Sequence, residues 1–306
     1  MKVLSLFDGI SCGMVALERA GIPVERYVAY EIEKGAIEIS RNNYPMIEHC
    51  GNVFDADFAK YEGFDLLIGG SPCNHWSIAN CRRETTPDGE GGLLFMAYVK
   101  ALKESKCKWF LYENNASITN EIKEFITEQL GVSPIMINSA LVSAQDRKRV
   151  YWTNIPNVDQ PTDKGIVLED VISTMCVCVA EQPYKRKKIN GVYDRRYEPR
   201  KDGKSGTVVA TREGQLNMLM QSVEEGKGNC VVKNGIFSNE KKEYPIEVAD
   251  GEYLVRSFTI EEREKLQTLP VGYTKGVRDA IARKGIGNGW TVDVIAHLLA
   301  GLAVSE

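Results

Sequence analysis

Cys73 stands in the stretch Gly69-Gly70-Ser71-Pro72-Cys73-Asn74, directly behind the apolar run Leu66-Leu67-Ile68. Glycines let a backbone turn sharply and proline fixes one dihedral. A cysteine that only fills a core needs neither, although that is what a cysteine most often does. As a thiolate it adds to an electron-poor double bond, and a carboxylic acid can protonate or hydrogen-bond the ring nitrogen that receives the charge. Glu113, in Leu111-Tyr112-Glu113-Asn114, is the acid available for that part. Cytosine needs such treatment, because its carbon 5 is a poor nucleophile. Attack at carbon 6 by Cys73, with Glu113 on N3, turns carbon 5 into an enamine able to take a methyl group from a sulfonium.

Two further features bear on a methyl donor. The loop Phe7-Asp8-Gly9-Ile10-Ser11-Cys12-Gly13 contains glycines but lacks the G-x-G-x-x-G spacing, which disfavours a dinucleotide with its pyrophosphate. Glu31, ending the next apolar run, suits a ribose diol, since a carboxylate accepts two hydroxyl hydrogen bonds. A loop and a ribose-binding acid without a phosphate cradle fit an adenosine cofactor such as S-adenosylmethionine.

The elements that must position these residues follow from periodicity. Strands are predicted over 2–7, 26–32, 64–70, 108–115 and 133–142, and helices over 13–21, 34–44, 93–105 and 121–131. Alternating strands and helices mean βαβ units, a mostly parallel sheet and helices on both faces. Gly9, Glu31, Cys73 and Glu113 then fall at carboxyl ends of strands, where sites in such sheets gather. After about Val171 the rhythm breaks, and residues 173–255 read as a smaller β- and loop-rich domain. Residues 1–172 form the catalytic domain in this reading, and 256–306 a segment returning to it. That last segment holds a helix capped by Thr259 with Glu262 three residues on, and the apolar helix 291–303.

Composition excludes little. The chain has 306 residues, 43% hydrophobic and 26% charged, with a formal net charge of −4. Eight cysteines without CxxC spacing and three histidines (His49, His75, His297) argue against a zinc site. With no secretory signal and no membrane-length apolar run, reduced thiols in a cytoplasm are expected. Between Glu181 and Arg212 ten Lys/Arg face four acids, a local balance of +6 that either decorates a solvated loop or neutralises phosphates.

Six stretches together carry a resemblance: Leu6-Phe7-Asp8-Gly9-Ile10-Ser11-Cys12-Gly13, Gly69–Asn74, Leu111–Asn114, Ser143–Trp152, Arg263–Pro270 and Gly287–Leu299. In type and order they resemble the motifs of the DNA (cytosine-5) methyltransferase family, most like its de novo type branch, and they cover nearly the whole chain except about 173–250. The resemblance implies a Rossmann-like, S-adenosylmethionine-dependent methyltransferase fold with an antiparallel strand near the end of its sheet, plus a target-recognition region. It implies Cys73 as nucleophile, Glu113 as the acid on N3, and Arg147 and Arg149 as the pair that orients the base. Phe7, Gly9, Ile10, Ser11, Cys12, Gly13, Glu31, Ile32, Asn52, Val53, Pro72, Leu94, Asn288, Gly289 and Trp290 match the methyl-donor pocket. Double-stranded DNA is the implied partner, with the cytosine flipped out of the duplex. Lys185, Lys187, Lys188, Arg195, Arg196, Arg200 and Arg212 are the candidates for its contacts, and the family sometimes works beside a restriction enzyme.

Three positions depart from the family pattern: Asn52 replaces an aspartate that accepts the adenine amino group, Ile32 an aromatic, and Asn115 a valine. His75 lies near Cys73 without a family counterpart. A tRNA-modifying relative is the second reading, although the Cys-Phe-Thr usual in its recognition segment is missing. A DNA-binding regulator without activity is the third.

Overall fold

The computed structural model describes residues 1–303 apart from 73, 74, 79, 190 and 211–216, and leaves aside the side chains of 182–189, 192 and 193. A seven-stranded sheet is built from β1 (Lys2–Leu6), β2 (Arg26–Tyr30), β3 (Glu48–His49), β4 (Leu66–Gly69), β5 (Trp109–Asn115), β6 (Ile135–Asn138) and β7 (Lys148–Thr153). Its order is β3-β2-β1-β4-β5-β7-β6, parallel from β3 to β5, with β7 antiparallel to both neighbours.

Successive strand side chains point to opposite faces, and the apolar runs split accordingly. Val3, Tyr27, Ala29, Leu66, Ile68 and Leu111 belong to one core. Leu4, Leu6, Val28, Tyr30, Leu67, Phe110 and Tyr112 belong to another on the opposite face. The first core is covered by α1 (Cys12–Arg19), α2 (Lys34–Asn43) and the last two helices, the second by α3 (Glu90–Ser105) and α4 (Asn120–Leu130). Gly131, in the left-handed conformation, ends α4. This is the two-faced, mostly parallel sheet expected from the alternation.

After the short α5 (Leu168–Ile172) a second sheet begins. It holds β8 (Cys176–Ile189), β9 (Val192–Pro199), β10 (Met218–Val223), β11 (Cys230–Lys233), β12 (Ile236–Asn239), β13 (Lys242–Pro245) and β14 (Gly251–Arg256). All its pairings are antiparallel, in the order β13-β12-β11-β14-β10-β8-β9. The sheet curls until its two edges meet. The Tyr197 amide on β9 donates to the Tyr244 hydroxyl on β13 at 2.7 Å, Lys242 pairs with Glu181 on β8, and the Arg196 guanidinium lies 5.6 Å over the Tyr244 ring. Side chains close this seam where no backbone ladder does.

The chain then returns to the first sheet through α6 (Ile260–Leu266), α7 (Asp279–Asn288) and α8 (Val292–Ala303), with α8 against α1 and α7 against α2. Among the described residues no helix is long and apolar enough to cross a membrane, and no cluster of His, Cys, Asp and Glu could hold a metal ion. Thr259 caps α6 as its spacing predicts: its hydroxyl accepts from the Glu262 amide at 3.2 Å, and the Glu262 carboxylate accepts from the Thr259 amide at 2.8 Å. Thr259→Ala removes one partner of this reciprocal pair. It should lower stability by about 1 kcal/mol, read as a fall in denaturant midpoint with an unchanged slope.

Candidate active site

The loop after β1 is bent by three left-handed residues in five, Phe7, Gly9 and Ser11, at φ +57°, +60° and +60°. Asp8 makes that path tenable. Its Oδ1 accepts from the Ser5 and Tyr27 hydroxyls at 2.6 and 2.7 Å, and its Oδ2 accepts from the Ser11 hydroxyl. Burial pushes the Asp8 carboxyl above its usual range, against the three hydroxyls that draw it down. Glu31, just past β2, reaches across: Oε2 accepts the Gly9 amide, and Oε1 accepts the amides of Ile32 and Glu33, each at 2.8 Å. The carboxylate thus locks two loops that leave neighbouring strands.

Beneath them opens a cavity of about 460 Å³ at the carboxyl ends of the parallel strands. Phe7, Gly9, Cys12, Glu31, Ile32, Pro72, Asn288, Gly289 and Trp290 line it, as do Glu113, Arg147 and Arg149. Ile10, Ser11, Gly13, Asn52, Val53 and Leu94 do not. Ile10, Ser11 and Gly13 are buried behind the loop, and the Asn52 side chain caps a short helical turn by accepting the Phe54 amide at 3.1 Å. Three cations border the space, and each has an intramolecular partner: Lys284 pairs with Glu33, Arg149 with Glu113, and Arg147 with backbone carbonyls. A phosphate-bearing cofactor therefore finds these charges engaged. A ligand with a ribose, an adenine and a cationic sulfonium would meet Glu31 and the side chains of Phe7, Ile32, Pro72 and Trp290 there. Cys12 borders the space too, but burial pushes its thiol up to about 12, so it is no thiolate at neutral pH.

Glu113 sits at the far wall, buried near the end of β5. Its Oε1 lies 3.0 Å from Nε of Arg149 on the adjacent β7, and its Oε2 accepts the Trp290 indole N–H at 3.0 Å. Each oxygen keeps further lone-pair capacity for a group in the cavity. A Cβ on Gly70 would come within 2.8 Å of Oε2 and 2.9 Å of the Glu113 carbonyl, so only glycine lets the chain leave β4 past this acid.

Arg147 is built in, with 4% of its surface exposed. Nη1 donates to the Val208 carbonyl at 2.9 Å, and Nη2 to the carbonyls of Gly287 and Gly289 at 3.1 and 3.0 Å. The C-terminal end of α7 favours a cation there. Beside it, the Gln145 amide donates to the Leu266 carbonyl and to Gln267, while its Oε1 accepts the Val208 amide. Gln267 donates to the carbonyls of Ile286 and Gly289. Four stretches of the chain, 145–147, 208, 266–267 and 286–289, are joined by one buried polar network.

Cys73 and Arg212 lie outside the described residues. Two residues before Cys73 in the chain, the Ser71 hydroxyl lies 2.6 Å from the Tyr112 hydroxyl, and the Asn114 amide donates to both. Lys185, Lys187 and Lys188 fall on β8, their side chains outside the description. Arg195 on β9 is exposed. Arg196 pairs with Asp194 at 3.1 Å. Arg200 is held by Asp202 and Asp146, and those carboxylates raise its pKa. Lys204, part of the same basic stretch, donates to the carbonyls of Ala140, Ser143 and Ile166. His75 faces Glu84 and Glu90 at 3.5 and 3.9 Å.

Sequence reasoning missed Asp8, Gly70, Gln145, Gln267 and the Glu33–Lys284 pair. Asp8 and Gly70 sit inside stretches already singled out, and neighbourhood alone could have flagged them. The pairing of Glu33 with Lys284, 251 positions apart, left no local signal.

The family model described as C-5 cytosine-specific DNA methylase matches residues 1–303. Among curated proteins, the orphan methyltransferase M.SPRI of Bacillus phage SPR is 36% identical over 125 residues, 40% of this chain and 28% of that protein. M.Rho11sI of Bacillus phage rho11s is 31% identical over 49% of this chain and 32% of its own length. The matches thus span about a third or less of either phage protein. The type II methyltransferase M.NgoPII of Neisseria gonorrhoeae is 27% identical over 99% of this chain and 95% of its own. Among solved structures, the Entamoeba histolytica methyltransferase EhMeth has a TM-score of 0.67 at 15% identity, over 100% of this chain and 99% of that one. A Spodoptera frugiperda DNMT2 variant has 0.65 at 16%, over 99% of each chain. These two share the fold.

Replacing Arg147 with methionine strands three buried carbonyls. Such a change should cost about 2–4 kcal/mol in urea unfolding, and amide exchange should speed up over 205–210 before it does in the first sheet.

Proposed function

The chain belongs to the C-5 cytosine-specific DNA methylase family, and from that premise we propose that it methylates carbon 5 of cytosine in double-stranded DNA, with S-adenosylmethionine as donor. The observation that carries the reading is Glu113, buried at the cavity wall between Arg149 and Trp290, on the strand whose neighbour leads into Cys73. When bound, S-adenosylmethionine supplies an electrophilic methyl group on a sulfonium.

The protein's residues supply the rest. The Cys73 thiolate adds to carbon 6 of a flipped-out cytosine, and Glu113 hydrogen-bonds N3 as electron density moves there. Arg149 holds Oε1 of that carboxyl and Trp290 holds Oε2, so the acid keeps one orientation through the step. Once the methyl group has passed to carbon 5, leaving S-adenosylhomocysteine as the thioether product, the carbon 5 proton goes to solvent, N3 gives back the proton it took from Glu113, and expulsion of the Cys73 thiolate restores the ring. Glu31 takes the ribose hydroxyls, and the loop held by Asp8 lines the donor's side of the cavity. Flipping is required because a stacked base hides both faces from attack.

In this reading residues 1–172 and 256–306 do the chemistry and 173–255 recognise the DNA. Two of the basic residues there take a different part. Arg200 and Lys204, committed to carboxylates and carbonyls, anchor the stretch 200–208 beside Arg147. Phosphate contacts fall to Lys185, Lys187 and Lys188, and base reading to Arg195, Arg196 and Arg212. The phage and bacterial origin of M.SPRI and M.NgoPII supports a cytoplasmic site of action, in a bacterium or for a phage, with or without a restriction partner.

Cys73→Ser should abolish methyl transfer and leave donor binding within twofold, because a serine hydroxyl is a far weaker nucleophile at neutral pH than a thiolate. Wild type should form a denaturation-resistant adduct with 5-fluorocytosine DNA, since fluorine cannot leave as a proton does; turnover by the serine variant sinks the covalent route. Glu113→Gln should lower turnover about a hundredfold or more with little change in DNA affinity. Incubation with labelled donor and either DNA or tRNA, followed by mass spectrometry of nucleosides, separates the two substrates. Changing Lys185, Lys187 and Lys188 together to alanine should weaken binding to all duplexes alike and flatten the salt dependence. An unchanged slope puts the DNA on another face.

A further inference from the structure

The stretch from Ser71 to Gly89 carries the nucleophile near one end, and its other end leads into α3, whose first amides are held by Glu84. The segment that follows Glu113 grips this stretch at four points. Asn114 donates to the Ser71 hydroxyl at 3.4 Å. The Ser117 hydroxyl accepts the Ile78 amide at 3.4 Å, and the Ser117 carbonyl accepts Nη1 of Arg83 at 2.8 Å. The Thr119 hydroxyl donates to the Thr85 carbonyl at 2.8 Å while it also caps α4.

Ser117 holds two of these bonds, and its own placement is set by Asn115. Oδ1 of Asn115 accepts both the Ser117 amide, at 3.0 Å, and the Ser117 hydroxyl proton. Because that proton is committed, the hydroxyl presents its lone pairs to Ile78. Asn115 is 4% exposed, and its amide donates to Oδ1 of Asn114, whose amide in turn reaches Ser71. A valine at this position could accept neither donor. The asparagine therefore does in the interior what an apolar side chain cannot.

We propose that Asn115, Ser117 and Arg83 form a tether that holds the chain at Ile78 and Arg83 against the segment following Glu113, and that methyl transfer by Cys73 depends on it. The proposal rests on the cytosine-methylating reading for its consequence. Neither Arg83 nor Asn115 touches reacting atoms; both are positioning residues. Arg83, Asn115, Ser117 and Ile78 do not line the cavity, so their bonds to one another can be removed without taking away any of its walls.

The test compares Arg83→Met, Arg83→Lys and Asn115→Val with wild type in the full chain. Amide exchange over 75–88, read by mass spectrometry, reports the tether itself. Single-turnover transfer from labelled S-adenosylmethionine to unmethylated plasmid DNA reports its consequence. Arg83→Met and Asn115→Val should speed exchange over 75–88 and leave it unchanged in β1 and β2. They should lower the single-turnover rate tenfold or more, with the donor dissociation constant and KM for DNA within twofold. Arg83→Lys should recover at least half of the lost exchange protection and bring the rate within about threefold of wild type. Unchanged exchange in Arg83→Met overturns the tether, and faster exchange at an unchanged rate overturns the positioning role. A rate loss accompanied by faster exchange throughout the first sheet makes Arg83 merely structural and also overturns it. A wild-type protein that methylates no cytosine refutes the functional reading instead, while the exchange arm still decides the tether.

Discussion

Everything around the cavity depends on one buried cation. Arg147 gives up its hydration, and an unpaired guanidinium in that position would be untenable. Three carbonyls from two remote segments satisfy it, and so those segments are held where the carbonyls must be: Val208 beyond the second sheet's first hairpin, Gly287 and Gly289 at the end of α7. Trp290 follows directly, and its indole N–H is what steadies Glu113. A charge bonded to backbone carbonyls thereby helps to set the geometry of the acid.

The same junction explains glycines that look misplaced. Gly285 and Gly287 stand inside α7, where glycine costs about 1 kcal/mol relative to alanine. A Cβ at Gly287 would lie 2.2 Å from the backbone of residues 209 and 210, and one at Gly285 would lie 2.6 Å from Ile10. Close approach of α7 to residues 209–210 and to the loop after β1 requires that these positions carry no Cβ. Helix propensity yields to contact.

Charge in residues 181–242 is likewise partly consumed inside the protein. Arg200 bridges Asp146 and Asp202, Lys204 collects three carbonyls, and Lys242 closes the curled sheet against Glu181. The formal charge of a stretch thus says little about how much of it is held in internal pairs.

The sequence by itself determined the strand–helix alternation of the first sheet, because half the apolar side chains face each way and the period shows it. It also determined the cap of α6, a purely local exchange of hydrogen bonds, and it marked Glu31 and Glu113 as carboxylates at strand ends. It did not reveal α7, whose glycines erase the helical signal, nor β7, whose antiparallel direction came from family resemblance and not from pattern. The partners of Arg147, Arg200 and Lys204 were equally out of reach. A basic residue in a loop reads the same whether it faces solvent, phosphate or a carbonyl. Only tertiary structure decided which, since, Asp202 apart, the acceptors come from segments 38 to 142 positions away whose approach is set by packing, not by spacing.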